Sequence, residues 1–333
     1  MADDSLPLTG AWHEAVVCVS DLDRWVGALQ QLFGWQVELR GPVDARLLRA
    51  WGLSAAARGE EVVLLDPDDA PRRVRLLRLH GVAQVQARSS AAHWDTGGIF
   101  SLLVNVRDVE ATFREAQALG WSAYHDPVEM HFSGRVLRNV VLRAWDGVNF
   151  GLYRAQWPPP PESRYAKAGN AFNGQQSVRD MGAARAFYRD GLGWTPWFDG
   201  ELRLDCNNLG MPANLVGHNP MNVIIAAASR DAQGAWHYGQ VELVEWVDFR
   251  GLDLAARAVP PNLGILALRI PVADAAGHAA ALVARGLPLF TAPARVELAP
   301  HGEVWLFGVR SPDGAIIEFY QRVSACPTSG DVP

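Results

Sequence analysis

Apolar and polar residues along this chain repeat one pattern four times. A strand-like apolar run leads to an aspartate, and apolar residues at helical spacing follow it. In the first copy Asp21 precedes Leu22, Trp25, Leu29 and Leu32, which recur every three or four positions. An aspartate at this point is typical of a helix N-cap. The four predicted caps are Asp21, Asp108, Asp180 and Asp274.

Each helix-like run ends near a glycine, and further strand-like runs follow it. Repeats of this kind bury their apolar faces against one another. The pattern therefore predicts an α+β protein of mixed sheets with helices on the outer face. The proline run 158–161 cannot continue a helix or a central strand. It predicts a linker at 157–163 between a first domain at 10–156 and a second at 164–323.

Three motifs resemble a known family. They are Val19-Ser20-Asp21-Leu22-Asp23, the Phe187-Tyr188 pair with Gly193-Trp194, and the segment 311–319, which reads SPDGAIIEF. Together with the repeat they are similar to the vicinal oxygen chelate superfamily, which includes glyoxalase I, bleomycin-resistance proteins and extradiol dioxygenases. The resemblance implies four βαβββ modules paired into two domains, each an open cup-shaped mixed sheet with helices outside. It also implies a small-molecule substrate, and it leaves a homodimer open.

In that family, a metal is held by His and Glu side chains on the first and fourth strands of each module. The matching first-strand positions lie seven residues before each capping aspartate, and a slip of one residue would give His13 instead of Glu14. The matched first-strand residues are Glu14, Ser101, Asn173 and Ala267, and the fourth-strand residues are Arg75, Gly151, Glu242 and Glu318. These positions lack the imidazole set, so we expect no tightly bound transition metal and no cofactor. A divalent ion such as Fe or Mn remains the alternative.

Grouping the modules by chain half places Glu14, Arg75, Ser101 and Gly151 in one cup. The other cup then holds Asn173, Glu242, Ala267 and Glu318. Two carboxylates facing one cup repel each other, which raises the pKa of one and suits proton transfer. We therefore expect Glu318 to act as a general base, Glu242 as its protonated partner and Asn173 as support for an oxyanion.

The substrate-binding residues predicted around these groups are of two kinds. Glu14 and Arg75 form either an ion pair that fills an unused cup or a clamp on a substrate anion. The remaining predicted contacts are His301, Trp305, Trp246 and Ala267. The chain has 13 tryptophans, and flat apolar side chains line pockets for aromatic ligands.

Composition limits the function classes further. The chain has 333 residues, 49% of them hydrophobic, and a net charge of −6, which argues against binding to nucleic acid. No apolar run reaches the roughly 18 residues that a membrane span needs. The acidic N-terminus and three scattered cysteines predict a cytoplasmic protein without disulfides. No P-loop, dinucleotide fingerprint or nucleophile elbow is present.

These observations favour a metal-independent isomerase or lyase that acts on a small, aromatic molecule. Two alternatives stay open at this stage. One is a metal-dependent extradiol-type dioxygenase with a relocated iron site. The other is a non-catalytic protein that binds an aromatic compound and confers resistance to it.

Overall fold

The computed structural model describes six segments of the chain. They are residues 11–69, 72–89, 92–157, 165–207, 216–227 and 239–323. The proline run of the predicted linker lies outside the described residues.

The predicted repeat is confirmed, because four modules follow one another along the chain. The first contains β1 (Glu14–Cys18), α1 (Leu22–Phe33), β2 (Gln36–Pro42), α2 (Ala45–Ala50), β3 (Arg58–Leu65) and β4 (Arg73–His80). The second contains β5 (Ser101–Val106), α3 (Val109–Ala118), β6 (Ser122–Ala123), β7 (Val128–Phe132), β8 (Arg135–Arg143) and β9 (Asn149–Trp157).

The second half of the chain repeats this order. The third module contains β10 (Ala168–Ser177), α4 (Met181–Arg185), a π-helical turn (Ala186–Gly191), β11 (Thr195–Arg203), β12 (Pro220–Ala227) and β13 (Gln240–Trp246). The fourth contains β14 (Gly264–Pro271), α5 (Ala275–Ala284), β15 (Leu289–Glu297), β16 (Glu303–Arg310) and β17 (Ile316–Arg322). Short 3₁₀ turns occur at Trp145–Gly147 and Ala255–Arg257. Within the described segments, no helix is long and apolar enough to cross a membrane.

The four capping aspartates are also confirmed. Each one lies in extended backbone just before its helix, and its side chain accepts a hydrogen bond from a backbone N–H in the first turn. The α1 helix ends at Gly34, which has the left-handed φ of 76° that glycine adopts without strain. Local sequence therefore sets where each module's helix begins and ends.

The pairing of modules differs from the prediction. The first sheet has the strand order β15-β16-β17-β14-β1-β4-β3-β2, and the second has β11-β12-β13-β10-β5-β9-β8-β6, with β7 paired to β8. The first module therefore joins the fourth, and the second joins the third, through the antiparallel pairs β1–β14 and β5–β10. The prediction that the two modules of each chain half form one cup is wrong. Each sheet takes strands from both predicted domain ranges, and the boundaries themselves stay a prediction.

The two sheets share one apolar core. Residues from the helix-facing sides of both sheets, such as Val17 and Leu243, belong to the same buried cluster as Trp25 on α1 and Leu282 on α5. The opposite, concave faces carry separate clusters. The alternation of side chains along each strand thus divides every strand between the common core and one concave face.

A buried aspartate connects the first two modules. The Asp146 carboxylate accepts hydrogen bonds from the backbone N–H of Ser20 at 2.9 Å and from Trp25 Nε1 at 2.8 Å. Asp313 holds the third module in a related way, since its carboxylate accepts from the backbone N–H of Arg179 at 3.0 Å. These bonds tie the loop before each helix to the module that follows in the chain.

Replacing Asp146 tests this connection. We expect Asp146→Ala to lower the free energy of unfolding by about 2 kcal/mol, because it leaves the buried Trp25 Nε1 without an acceptor. Asp23→Ala, which removes an exposed ion pair with Arg40, should change it by less than about 0.5 kcal/mol. Urea unfolding of both variants measures the difference, and equal effects would contradict the role given to Asp146.

Candidate functional site

Four charged side chains of alternating sign lie across the central strands of the first sheet. Glu318 on β17 is opposite Arg269 on β14, which is opposite Glu14 on β1, and Arg75 follows on β4. Each of the four is at most 1% exposed. We call these four residues the charged row. Three of them stand at positions matched to metal ligands in the sequence, while Arg269 lies two residues beyond the matched Ala267.

Hydrogen bonds connect the whole charged row. Arg269 donates to Glu318 Oε2 at 2.6 Å and to Glu14 Oε1 at 2.8 Å. Arg75 donates to both carboxylate oxygens of Glu14, each at 2.8 Å. Trp51 Nε1 donates to Glu318 Oε1 at 2.7 Å. Each oxygen of the two carboxylates therefore has an N–H donor.

The arginines control the protonation of Glu14. Burial alone would raise the pKa of Glu14, but the charges of Arg75 and Arg269 outweigh it and lower that pKa to about 2. The predicted ion pair between Glu14 and Arg75 is thus present as part of a larger buried network. Such a network fixes its members in place, and its guanidinium groups hold the Glu14 carboxylate in its ionised form.

The concave face around the charged row is filled by apolar side chains. Leu47 and Leu48 on α2, together with Trp51, pack in one cluster with Val16 and the predicted substrate contact Ala267. The α2 segment therefore covers the concave face of the first sheet.

A divalent cation does not fit the charged row. Metal ligands need free carboxylate oxygens or neutral imidazole nitrogens. Here the carboxylate oxygens are occupied by donors, and Arg75 and Arg269 stand at neighbouring positions with positive charges that repel a second cation.

The same register in the second sheet carries a different set of residues. Gln175 pairs with Glu242 as Arg269 pairs with Glu318, and Ser101 faces Gln175 as Glu14 faces Arg269. Gly151 on β9 corresponds to Arg75. We call Glu242, Gln175, Ser101 and Gly151 the polar row. It keeps one glutamate of the charged row and neither arginine.

Glu242 is held by amide groups rather than by cations. Gln175 Nε2 donates to Glu242 Oε1 at 2.9 Å, and Asn173 Nδ2 lies 3.4 Å from Oε2. Ser101 Oγ donates to Gln175 Oε1 at 3.0 Å and so orients that amide. Burial raises the pKa of Glu242 to about 7, and the hydrogen bond from Gln175 offsets only part of this effect. The residue as a whole is half-buried, and its carboxyl group can gain or lose a proton near neutral pH.

The expected pair of Glu242 and Glu318 does not form. Glu242 lies in the second sheet and Glu318 in the first, because the modules pair across the chain halves. The raised pKa of Glu242 therefore comes from burial and not from a second carboxylate. Asn173 lies beside Glu242 in the second sheet, whereas Ala267, which was predicted in the same cup, lies in the first sheet.

Tyr153 occupies the space beside Gly151. A Cβ atom at position 151 would lie 3.1 Å from the Tyr153 ring and 2.5 Å from Leu103, so the glycine leaves room for both. Burial, and then the nearby charge of Glu242, raise the pKa of the Tyr153 hydroxyl. The phenol therefore stays protonated at neutral pH and is available as a hydrogen-bond donor near Glu242.

Aromatic side chains line the concave face of the second sheet. Phe198 on β11 and Ile225 on β12 continue the line of residues that contains Glu242. The predicted contact Trp246 lies four residues along β13 on the same face, and its Nε1 donates to His93 Nδ1 at 2.8 Å. The two ends of the sheet approach each other, since the rings of Phe132 on β7 and Phe198 are 5.2 Å apart.

Two other predicted contacts lie in the first sheet. The His301 ring stacks on Tyr320, with the ring centres 4.9 Å apart, and its Nδ1 accepts a hydrogen bond from Arg322 Nη2 at 2.8 Å. Burial lowers the pKa of His301 to about 4. Trp305 is opposite Gln321, which caps α5, so Trp305 lies on the helix-facing side. The expectation that Trp305 borders a concave pocket is wrong, because its neighbours Val304 and Leu306 take that side.

The polar row does not fit a divalent metal either. It offers one carboxylate, one amide and one hydroxyl, and Gln175 is already engaged by Ser101 and Glu242. Among the residues that the structure describes, no three His, Cys, Asp or Glu side chains form a metal-binding group. We therefore derive no chemistry through a metal ion at either row.

Sequence reasoning missed Arg269, Gln175 and Tyr153. The first two lie five residues before a capping aspartate, on the same strand face as the matched position seven residues before it. Tyr153 lies two residues after Gly151 on the same face of β9. Because side chains alternate along a strand, all three residues share a face with a matched position, and this spacing could have identified them as candidates.

Comparison with known proteins identifies the fold. Residues 12–150 match the Glyoxalase/Bleomycin resistance protein/Dioxygenase superfamily. The chain has the vicinal oxygen chelate fold. The resemblance seen in the sequence is thereby confirmed.

Solved structures with this fold span nearly the whole chain. Glyoxalase I from Zea mays is 15% identical, with a TM-score of 0.61 over 94% of this chain and 92% of that one. A protein from Bacillus subtilis subsp. subtilis str. 168, described provisionally as a dioxygenase, is 8% identical with a TM-score of 0.59 over 95% and 86%. No curated protein sequence matches the chain. At these identities the likeness concerns the fold alone.

Removing one arginine tests whether the charged row is structural. We expect Arg269→Leu to lower the free energy of unfolding by about 3–5 kcal/mol at pH 7, because two buried carboxylates lose their shared cation. Glu14 contributes stability that is present above its unfolded pKa of 4.5 and is lost as pH falls toward 2. The deficit of the variant should therefore shrink between pH 5 and pH 2.5.

Urea unfolding of the variant and the unaltered protein at pH 5 and at pH 2.5 measures this difference in the free energy of unfolding. Arg295→Leu, which removes an exposed partner of Glu303, serves as the control and should change stability by less than about 1 kcal/mol. A deficit for Arg269→Leu that is equally large at both pH values would contradict the role of the charged row.

Proposed function

We propose that this protein is a metal-independent enzyme, an isomerase or lyase, that moves a proton on a small aromatic molecule. The reaction takes place at the concave face of the second sheet. Glu242 is the proton acceptor and donor, and it replaces Glu318 in the role expected from the sequence.

The state of Glu242 carries this proposal. It is a carboxyl group with a pKa of about 7 on a concave face, and amide groups rather than arginines are its partners among the described residues. A general base works best when its pKa is near the operating pH, because both protonation states are then populated. Glu318, at the equivalent register position, is saturated by Arg269 and Trp51.

Neighbouring groups supply the rest of the chemistry. When Glu242 removes a proton from carbon beside a carbonyl, negative charge develops on the carbonyl oxygen. The Tyr153 hydroxyl and the Asn173 amide are neutral donors on the same face and would stabilise that oxyanion. The aromatic side chains Phe198 and Trp246 favour a flat apolar substrate.

Deuterium exchange tests proton transfer without knowledge of the natural substrate. We expect the protein in D₂O to accelerate exchange of the acidic C–H protons of acetophenone or 2-indanone above the buffer rate. The rate should rise with pH and level off above about 7, because only the ionised form of Glu242 accepts a proton. Glu242→Gln should lower the accelerated rate about 10²–10⁴-fold.

A matched control lies on the same strand. Glu245 is on the opposite face of β13, where it accepts a hydrogen bond from Asn222 at 2.7 Å, and Glu245→Gln should retain the rate. NMR measures the loss of the C–H signals. No acceleration for either ketone, or an acceleration that Glu242→Gln leaves unchanged, would contradict the proposal.

A further inference from the structure

The two equivalent rows differ in charge. In the charged row, the guanidinium of Arg269 lies 2.6 Å from Glu318. In the polar row, the neutral Gln175 stands at that register position, and Gly151 stands where the other row has Arg75. The ionised polar row therefore has one negative charge, and none of its other members carries a positive charge to balance it.

No positive group in the described part of the chain pairs with Glu242. Among the described residues, no arginine, lysine or histidine forms an ion pair with it. Burial raises its pKa, and the hydrogen bond from Gln175 offsets only part of that rise. The closest polar contacts of Glu242 are the two side-chain amides. A buried carboxylate without a cation is costly in its ionised form.

A second acceptor lies beside this carboxylate. Asn173 is 2% exposed, and its Oδ1 is a buried atom without a hydrogen-bond donor among the described residues. Its Nδ2 lies 3.4 Å from Glu242 Oε2, so both acceptors belong to one small region. Buried acceptors without donors are uncommon in folded proteins and here indicate a ligand that donates hydrogen bonds.

Aromatic side chains lie on the same sheet face as this region. Phe198 continues the line of Glu242 across β12, its ring lies near those of Trp197 and Phe132, and Trp246 lies farther along the same face. Faces of aromatic rings attract cations as well as other rings. The carboxylate therefore suits the positive group of an aromatic cation, and the aromatic side chains on the same face suit its ring.

We propose that the second sheet binds an aromatic ammonium compound, whose positive nitrogen pairs with Glu242 and Asn173 as the Arg269 guanidinium pairs with Glu318 in the first sheet. The proposal rests on the proposed function for the location of the site and adds the class of substrate. Because a cation favours the ionised carboxyl group, binding releases a proton from Glu242 below neutral pH.

Three small probes of nearly equal shape test the charge requirement. They are benzylammonium, benzyl alcohol and benzoate, and tryptophan fluorescence of the full chain measures their binding. We expect benzylammonium to bind at least about tenfold tighter than benzyl alcohol at pH 8, and benzoate to bind weakest. Simple amines stay protonated through this range, as the lysine side chain does. The affinity for benzylammonium should therefore fall about tenfold between pH 8 and pH 6, following the protonation of Glu242.

Variants assign the preference to Glu242. Glu242→Gln should bind benzylammonium and benzyl alcohol equally and lose the pH dependence, while Glu245→Gln should behave as the unaltered protein does. Equal binding of the two probes to the unaltered protein, or a preference that survives in Glu242→Gln, would overturn the proposal.

The two proposals about Glu242 fail in different ways. Deuterium exchange that depends on Glu242 without any preference for benzylammonium would overturn the ligand class and keep proton transfer. A preference for benzylammonium that depends on Glu242, without exchange of any ketone, would support the ligand class and overturn proton transfer.

Discussion

Neutralisation of buried carboxylates by arginine decides what each sheet of this protein can do. Where Arg75 and Arg269 reach the centre of a sheet, Glu14 is held ionised at a pKa of about 2 and the concave face is closed by α2. In the second sheet Gln175 and Gly151 stand at the equivalent positions, and the carboxyl group of Glu242 has a pKa of about 7. One scaffold thus holds a rigid ion network in one sheet and a titratable group in the other.

The pairing of modules makes this division possible. The first module joins the fourth and the second joins the third, so both arginines meet in one sheet although 194 positions of the chain, from 75 to 269, separate them. If each half had formed its own sheet, Arg75 and Arg269 would have lain in different sheets. The distribution of charge between the sheets therefore depends on topology as much as on composition.

Local features were predictable from the sequence, and long-range ones were not. The capping aspartates, such as Asp21 and Asp274, act within one helical turn, and the spacing of apolar residues revealed them. The alternation of side chains along a strand predicted that Glu14 and Glu242 lie on the concave faces of their sheets. The separation of Glu242 from Glu318 depends on which strands are neighbours, and similar modules carry little information about that choice. The surroundings of Trp305 depended on the same register and were predicted wrongly.

The central claim is that Glu242 changes its protonation near neutral pH because it is buried without a cation. Carbon-13 NMR of protein labelled at the glutamate carboxyl carbons, with the Glu242 signal assigned by its loss in Glu242→Gln, measures this directly. The account predicts a titration midpoint near 7 for that signal, and no titration of the Glu14 signal above pH 4. A midpoint for Glu242 near the ordinary value of 4.5 would contradict it.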